Sequence, residues 1–310
     1  MPRLVSLLLL LELLHAEVLP YDMRPEANAT LPHITLLDQK RLTFKAIDGV
    51  PFTELSDLAY QPASHTLYLL SDRGQFYHFH AAWGAHITAL SPLHGYVLHT
   101  PGGKHLKRSK SDSEGLTLDG QGRLWVSFER KPHVARIAPD GRMIRYLPLP
   151  KALRNAKKYR SRNKGMEALT WHPRYGLISA LEYPPKGTPK THQTLYTLSG
   201  KQWHFRAENI PGSAISAIET MDDGTILVLE RAFDKKQFTL VITLKKVYLD
   251  KQKNGLCRSK ILGQMSTDNG WMLDNFEGLT RVAPHRYLMI SDDNGNFFQK
   301  TLLVYFEVTE

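Results

Sequence analysis

The chain of 310 residues carries 40 Lys and Arg against 30 Asp and Glu, a net charge of +10, with 42% hydrophobic residues and a single cysteine. One cysteine excludes an internal disulfide, so the fold must rest on a buried core, which a chain of this length can supply. The positive balance admits a nucleic-acid partner, but an export signal and an acidic repeat argue against one.

Met1-Pro2-Arg3 is a short basic start, Leu4 to Leu14 is almost continuously apolar, and Ala16 is a small residue suited to cleavage before Glu17. Residues 1–16 therefore read as a signal peptide, which places the mature protein in the periplasm or outside the cell. The apolar run of about eleven residues is broken by Glu12 and falls well short of the ~20 that span a bilayer. No other segment approaches that length, so no membrane span is expected. The next segment, 17–32, reads as flexible and contains the glycosylation acceptor Asn28-Ala29-Thr30, relevant only in a eukaryotic host. An isolated strand follows at His33–Lys45, and residues 33–310 read as one domain.

From there a short unit recurs. A polar residue opens an apolar strand and a carboxylate closes a second one fourteen or fifteen residues later: Asp57 to Asp72, Glu114 to Glu129, Glu167 to Glu182, Ser216 to Glu230, and Glu277 to Asp292. Turn residues at each midpoint, such as Asp119-Gly120-Gln121-Gly122 and Asp222-Asp223-Gly224, make every unit a β-hairpin. A hairpin brings its two ends together, so each copy pairs two polar groups, and nine of the ten positions are Asp or Glu. Starts at 57, 114, 167, 216 and 277 lie 57, 53, 49 and 61 residues apart, a period that with several strands per repeat predicts an all-β propeller. Five blades are counted, with a sixth, degenerate one left open. The fifth copy runs out after its third strand, Thr301–Val308, so His33–Lys45 is expected to complete that blade and close the ring.

Side-by-side carboxylates repel unless a cation compensates. The acids Asp57, Asp72, Glu114, Glu129, Glu167, Glu182, Glu230, Glu277, Asp292 and Asp293 are thus candidate ligands for a divalent cation, calcium first, with Asp292-Asp293-Asn294 the leading position. Two basic runs, Lys104–Lys110 and Arg154–Lys164, each precede an inner strand and should rise on the same face. Lys107, Arg108, Lys157, Lys158 and Arg160 are the candidates for holding an anionic substrate. Arg73, Arg130 and Arg231 directly follow closing acids. His78 and His80 read as packing or surface residues, Cys257 as an inert strand residue, and the five tryptophans as core between blades.

Glu277-Gly278-Leu279-Thr280, Ser71-Asp72-Arg73-Gly74 and Ser291-Asp292-Asp293-Asn294, as a spaced set, resemble the secreted bacterial family called esterase-like activity of phytase, over roughly residues 50 to 307. The resemblance implies a secreted propeller and hydrolysis of an ester or phosphoester. Ser216, where an inner-strand acid is missing, departs from the pattern. No Gly-x-Ser-x-Gly, His-Glu-x-x-His or phosphate-loop motif is present. Glu114, Glu167, Glu277 and Asp292 are accordingly expected to supply ligands or a general base, with Arg73 and Arg130 neutralising developing charge in a monomeric, metal-assisted hydrolase of small anionic esters. The alternatives are a non-enzymatic propeller that binds an anionic envelope component or protein, and a calcium-dependent lactonase.

Overall fold

The computed structural model describes residues 17–106, 111–161 and 164–309. Nearly all of the regular structure is β. Strand-turn-strand patterning with Gly at turn positions of positive φ, such as Gly122, Gly141 and Gly224, folds the chain back repeatedly. The result is a β-propeller of five antiparallel four-stranded units.

Unit 1 runs Leu55–Gln61, Thr66–Ser71, Gln75–Trp83, Ile87–Val97, and unit 2 runs Ser113–Leu118, Leu124–Phe128, His133–Ile137, Met143–Leu147. Unit 3 comprises Met166–His172, Gly176–Leu181, His192–Thr197 and Gln202–Arg206; unit 4 comprises Ala214–Thr220, Ile226–Asp234, Thr239–Lys253 and Leu256–Ser266. One parallel pair, His204 with Leu256, links their outer strands into an eight-stranded sheet. Unit 5 takes Asn275–Ala283, Arg286–Asp292 and Thr301–Val308 from the C-terminal end, and its fourth strand, Ile34–Leu42, from the N-terminal end. That strand pairs antiparallel from Ile34 opposite Val308 to Leu42 opposite Thr301. The ring is therefore closed as expected, by a strand that leaves no open sheet edge between first and last chain segments.

The first strands of the five units pack side by side, and that of unit 5 returns to that of unit 1. One hydrophobic cluster fills each of the five interfaces between units. Strands such as Thr66–Ser71, buried at every position, read as continuous apolar runs for that reason.

Residues 17–32 correct the expectation of a flexible segment. Val18–Pro20 pairs with Ile34–Leu42 as a fifth strand of the last sheet. Met23 is fully buried among unit 4 and 5 side chains, its N–H donating to Gln39 Oε1 (3.0 Å) and its carbonyl accepting from Met272 N (2.9 Å). No helix among the described residues is long and apolar enough to cross a membrane.

Candidate functional site

Near its start, every inner strand slips by one residue against its partner. Such a bulge inserts an extra residue and re-aims its side chain. The slip falls at Glu114, Glu167 and Glu277 in units 2, 3 and 5, and at Ser56 and Ser216 in units 1 and 4. The following position carries Gly115, Ala168, Ala217 and Gly278 because the strands converge on the axis. A Cβ on Gly115 would lie 2.6 Å from Leu169 N, and one on Gly278 2.8 Å from Asp57 Cα.

The bulged glutamates meet the closing acids at one mouth of the ring. Carboxylate oxygens of Asp112, Glu114 and Glu129 lie within 4.8 Å of one another, as do those of Glu129, Glu167 and Glu182, so Glu129 joins two triads. Glu277 Oε1 accepts from Arg231 Nη1 (2.8 Å) and Asn275 Nδ2 (2.8 Å), and Asn275 also reaches Asp292 Oδ2 (3.4 Å). Three cations rim the acids: Lys164 Nζ bonds both oxygens of Glu182 (2.9 and 3.0 Å), Arg130 Nε lies 3.0 Å from Asp112, and Arg231 sits inside the ring.

This crowding shifts the acids upward. Burial, then Glu167 and Glu277, holds the Glu114 carboxyl well above the usual range; burial, then Glu182 and Glu129, does the same to Glu167. Burial and its acidic neighbours push Glu129 to about 8, and burial with Glu277 pushes Asp292 to about 9. Asp72 rises to about 7 through burial and Glu54. Burial also raises Asp112 against the pull of Arg130, and Glu182 against that of Lys164. Burial works against the Arg231 charge, yet Glu277, Glu167 and Glu182 raise its pKa. All-oxygen donors this close fit a hard divalent cation, which would offset the repulsion.

Three of the predicted ligands, Asp57, Glu230 and Asp293, are held by other partners. Asp57 lies one residue beyond the slip, and its carboxylate accepts N–H bonds from Leu58 (2.8 Å), Leu116 (2.6 Å) and Leu279 (3.1 Å). It fastens the inner strands of units 2 and 5 to that of unit 1. Glu230 pairs opposite Ile215, the place taken by Leu181 opposite Met166, so Arg231 occupies the closing-acid position of unit 4. A one-residue step flips a strand side chain to the other face, and Glu230 turns to Lys245 Nζ (2.8 Å), Ser213 Oγ and Glu208 N (2.8 Å each).

Other expected residues are tied locally. Asp293 accepts from Thr53 Oγ1 (2.6 Å), Glu54 N (2.9 Å) and Gly295 N (3.1 Å), which pins its loop. Arg73 is ion-paired with Glu54 and lies 3.6 Å from Asp72. Lys107 and Arg108 lie outside the described residues. Lys157 and Lys158 are exposed, and Arg160 Nη2 donates to Thr188 O (2.6 Å).

Sequence reasoning missed Asp112 and the ring position of Arg231, and it took Lys164 only as the end of the basic run Arg154–Lys164. For Arg231 the signal was present: Ser216 to Glu230 spans fourteen residues where the other copies span fifteen, so the fifteenth is Arg231. Phe297 and Phe298, 94% and 85% exposed, stand on the loop that follows Asp292 and were also unremarked.

Among solved structures the chain is similar to virginiamycin B lyase from Staphylococcus aureus (11% identity, 94% of this chain and 98% of that one, TM-score 0.42). It is also similar to a putative gluconolactonase (11%, 94% and 95%, TM-score 0.39) and to the Pan2 WD40 domain of Neurospora crassa (8%, 91% and 99%, TM-score 0.37). No curated protein matches the chain in sequence. The profile of the phytase-like family, described as esterase-like activity of phytase, matches residues 50–295, and with most of the propeller so covered the chain belongs to that family.

Proposed function

We propose that the protein is an exported hydrolase of small anionic phosphoesters or carboxylic esters, acting as a monomer at the acidic mouth. The observation that carries this reading is the pair of carboxylate triads that share Glu129, rimmed by Lys164, Arg130 and Arg231. The family description, esterase-like activity of phytase, agrees with it. Export is inferred from residues 1–16, which lie outside the described structure.

Asp112, Glu114, Glu129, Glu167 and Glu182 would hold a divalent cation, calcium first, which when bound polarises a phosphoryl or acyl oxygen. Glu277, fixed by Arg231 and Asn275, is oriented to take a proton from an attacking water. Asp292, reached by the same amide, would return a proton to the leaving oxygen. Lys164 and Arg130 hold the substrate's negative charge, and the basic-run residues Lys107, Arg108, Lys157, Lys158 and Arg160 extend that attraction outward.

The test is a panel of phosphate monoesters, acyl esters and lactones, each assayed in chelator and in millimolar calcium. Turnover of an anionic ester that needs calcium and falls about a hundredfold or more in Glu277→Gln is expected. A protein that calcium stabilises but that turns over nothing on the panel would instead be a binding module.

A further inference from the structure

The other mouth of the ring holds a cavity of about 850 Å³, within the size range of small-molecule sites. Its wall includes Tyr60, Pro62, Trp171, Pro173, Met221 and Pro284. Trp171 lies there because the turn beside it carries Gly120: a Cβ at 120 would come within 2.6 Å of the indole Cη2. Three carboxylates line the cavity, and two are already paired. Asp119 bonds Arg123 Nε (2.6 Å) and Trp125 Nε1 (2.8 Å), while Asp222 is ion-paired with Arg281 and accepts from His285 N (2.8 Å).

The third is Glu219. It replaces the Ala59, Thr117, Thr170 or Thr280 found at the same position of the other inner strands. Its side chain accepts from Thr170 Oγ1 (3.2 Å), and it has no ion-pair partner among the described residues. It is partly accessible and lines the cavity, so its open direction is the cavity. Burial without a paired cation pushes its carboxyl up to about 8, against the partial relief from Arg281.

We propose that this mouth is a second binding site, for a small organic cation: an ammonium group against Glu219 and an apolar or aromatic body against Trp171 and Tyr60. Once Glu219 is ionised, a neutral ligand would leave its charge with only the partial relief of Arg281, which also lines the cavity but is held by Asp222, and an anion would add to that charge. A cation supplies the missing partner and also gains from the face of an aromatic ring. The site is separate from the acidic mouth and does not depend on the activity proposed there.

Benzyltrimethylammonium is the probe, with benzyl alcohol and benzoate as neutral and anionic controls, followed by calorimetry and by Trp fluorescence in chelator at about pH 9, where Glu219 is ionised. The wild type should bind the cation in preference to both controls, and Glu219→Gln should bind it about tenfold or more weakly. Trp171→Leu should also weaken it, which keeps the test available if the Glu219 variant misfolds. The Glu277→Gln/Asp292→Asn protein should bind as the wild type does. Equal affinity in wild type and Glu219→Gln, or binding lost only in the Glu277/Asp292 variant, overturns the proposal.

Discussion

The reassignment of Glu230 makes a strong prediction about stability. Lys245 is 1% exposed, and its ammonium bonds Glu208 Oε1 (2.6 Å), Glu230 Oε1 (2.8 Å) and Arg206 O (2.9 Å). Lys245→Met removes the one cation that this network presents to two carboxylates, of which Glu230 is itself 1% exposed. Breaking a buried pair by deleting one partner costs about 3–5 kcal/mol. At roughly 2–4 °C per kcal/mol for a chain of this class, the melting temperature should fall by about 6–20 °C. Adding Glu230→Gln to the Lys245 variant should recover part of the loss, because one uncompensated charge is gone. Glu230→Gln alone should leave calcium affinity unchanged, whereas Glu182→Gln should weaken it. Thermal melts and calcium titrations on the four proteins decide the matter. An unchanged melting temperature in Lys245→Met, together with weakened calcium binding in Glu230→Gln, would return Glu230 to the acid ring and refute the register argument.

Further outcomes follow from the same geometry. Glu129 at about 8 and Asp292 at about 9 bind protons more tightly folded than unfolded. In chelator their contribution to stability should therefore be present near pH 5 and be lost as pH rises toward about 9, and the gain on adding calcium should grow over the same window; melts at three pH values that rise with pH in chelator would contradict this. Arg231→Leu should deepen that loss and Arg231→Lys should restore most of it, since the other acids then regain a cation. Deletion through residue 45 should expose the Thr301–Val308 edge and cause aggregation, visible by light scattering. Deletion through residue 32 should cost about 2–4 kcal/mol in urea denaturation, because it removes Met23 from the core.

The architecture was legible because five hairpins with apolar strands and turn residues recur at a propeller period, and because the last copy lacks a strand that only His33–Lys45 was left to supply. Individual side chains were harder, for a reason visible in two units. Side-chain direction alternates residue by residue along a strand, so assigning a site residue depends on register to the single residue. In unit 1 the turn is one residue longer than in unit 3: Tyr60 and Leu67 pair seven apart, Trp171 and Leu177 six. A fifteen-residue spacing therefore selected Asp57 where the bulge holds Ser56. In unit 4 the turn keeps the unit 3 length, so the shorter spacing to Glu230 was the anomaly. Asp112 precedes its inner strand outside the repeated pattern, and nothing periodic marks it; Lys164 was marked only as the last residue of a basic run.

Those departures from the repeat are also what make the mouth asymmetric. Five identical units would place a bulged acid and a closing acid in every sector, and the repulsion would be the same all round. Instead unit 1 presents Ser56 and Asp72, and unit 4 presents Ser216 and Arg231, while units 2, 3 and 5 keep both acids and units 2 and 3 supply the two triads. The carboxylates of units 2 and 3 are thereby gathered into the two triads, and the Arg231 guanidinium, bonded to Glu277, stands close enough to act on Glu167 and Glu182 as well. A phosphate or carboxylate entering the mouth meets attraction from Arg231 and Lys164 next to the position where a cation would sit, rather than an unbroken ring of negative charge. If the mouth takes an anionic ester, as proposed, the loss of repeat symmetry at residues 216 and 231 is the feature that would admit it, because it sets a guanidinium where a fifth closing acid would otherwise stand.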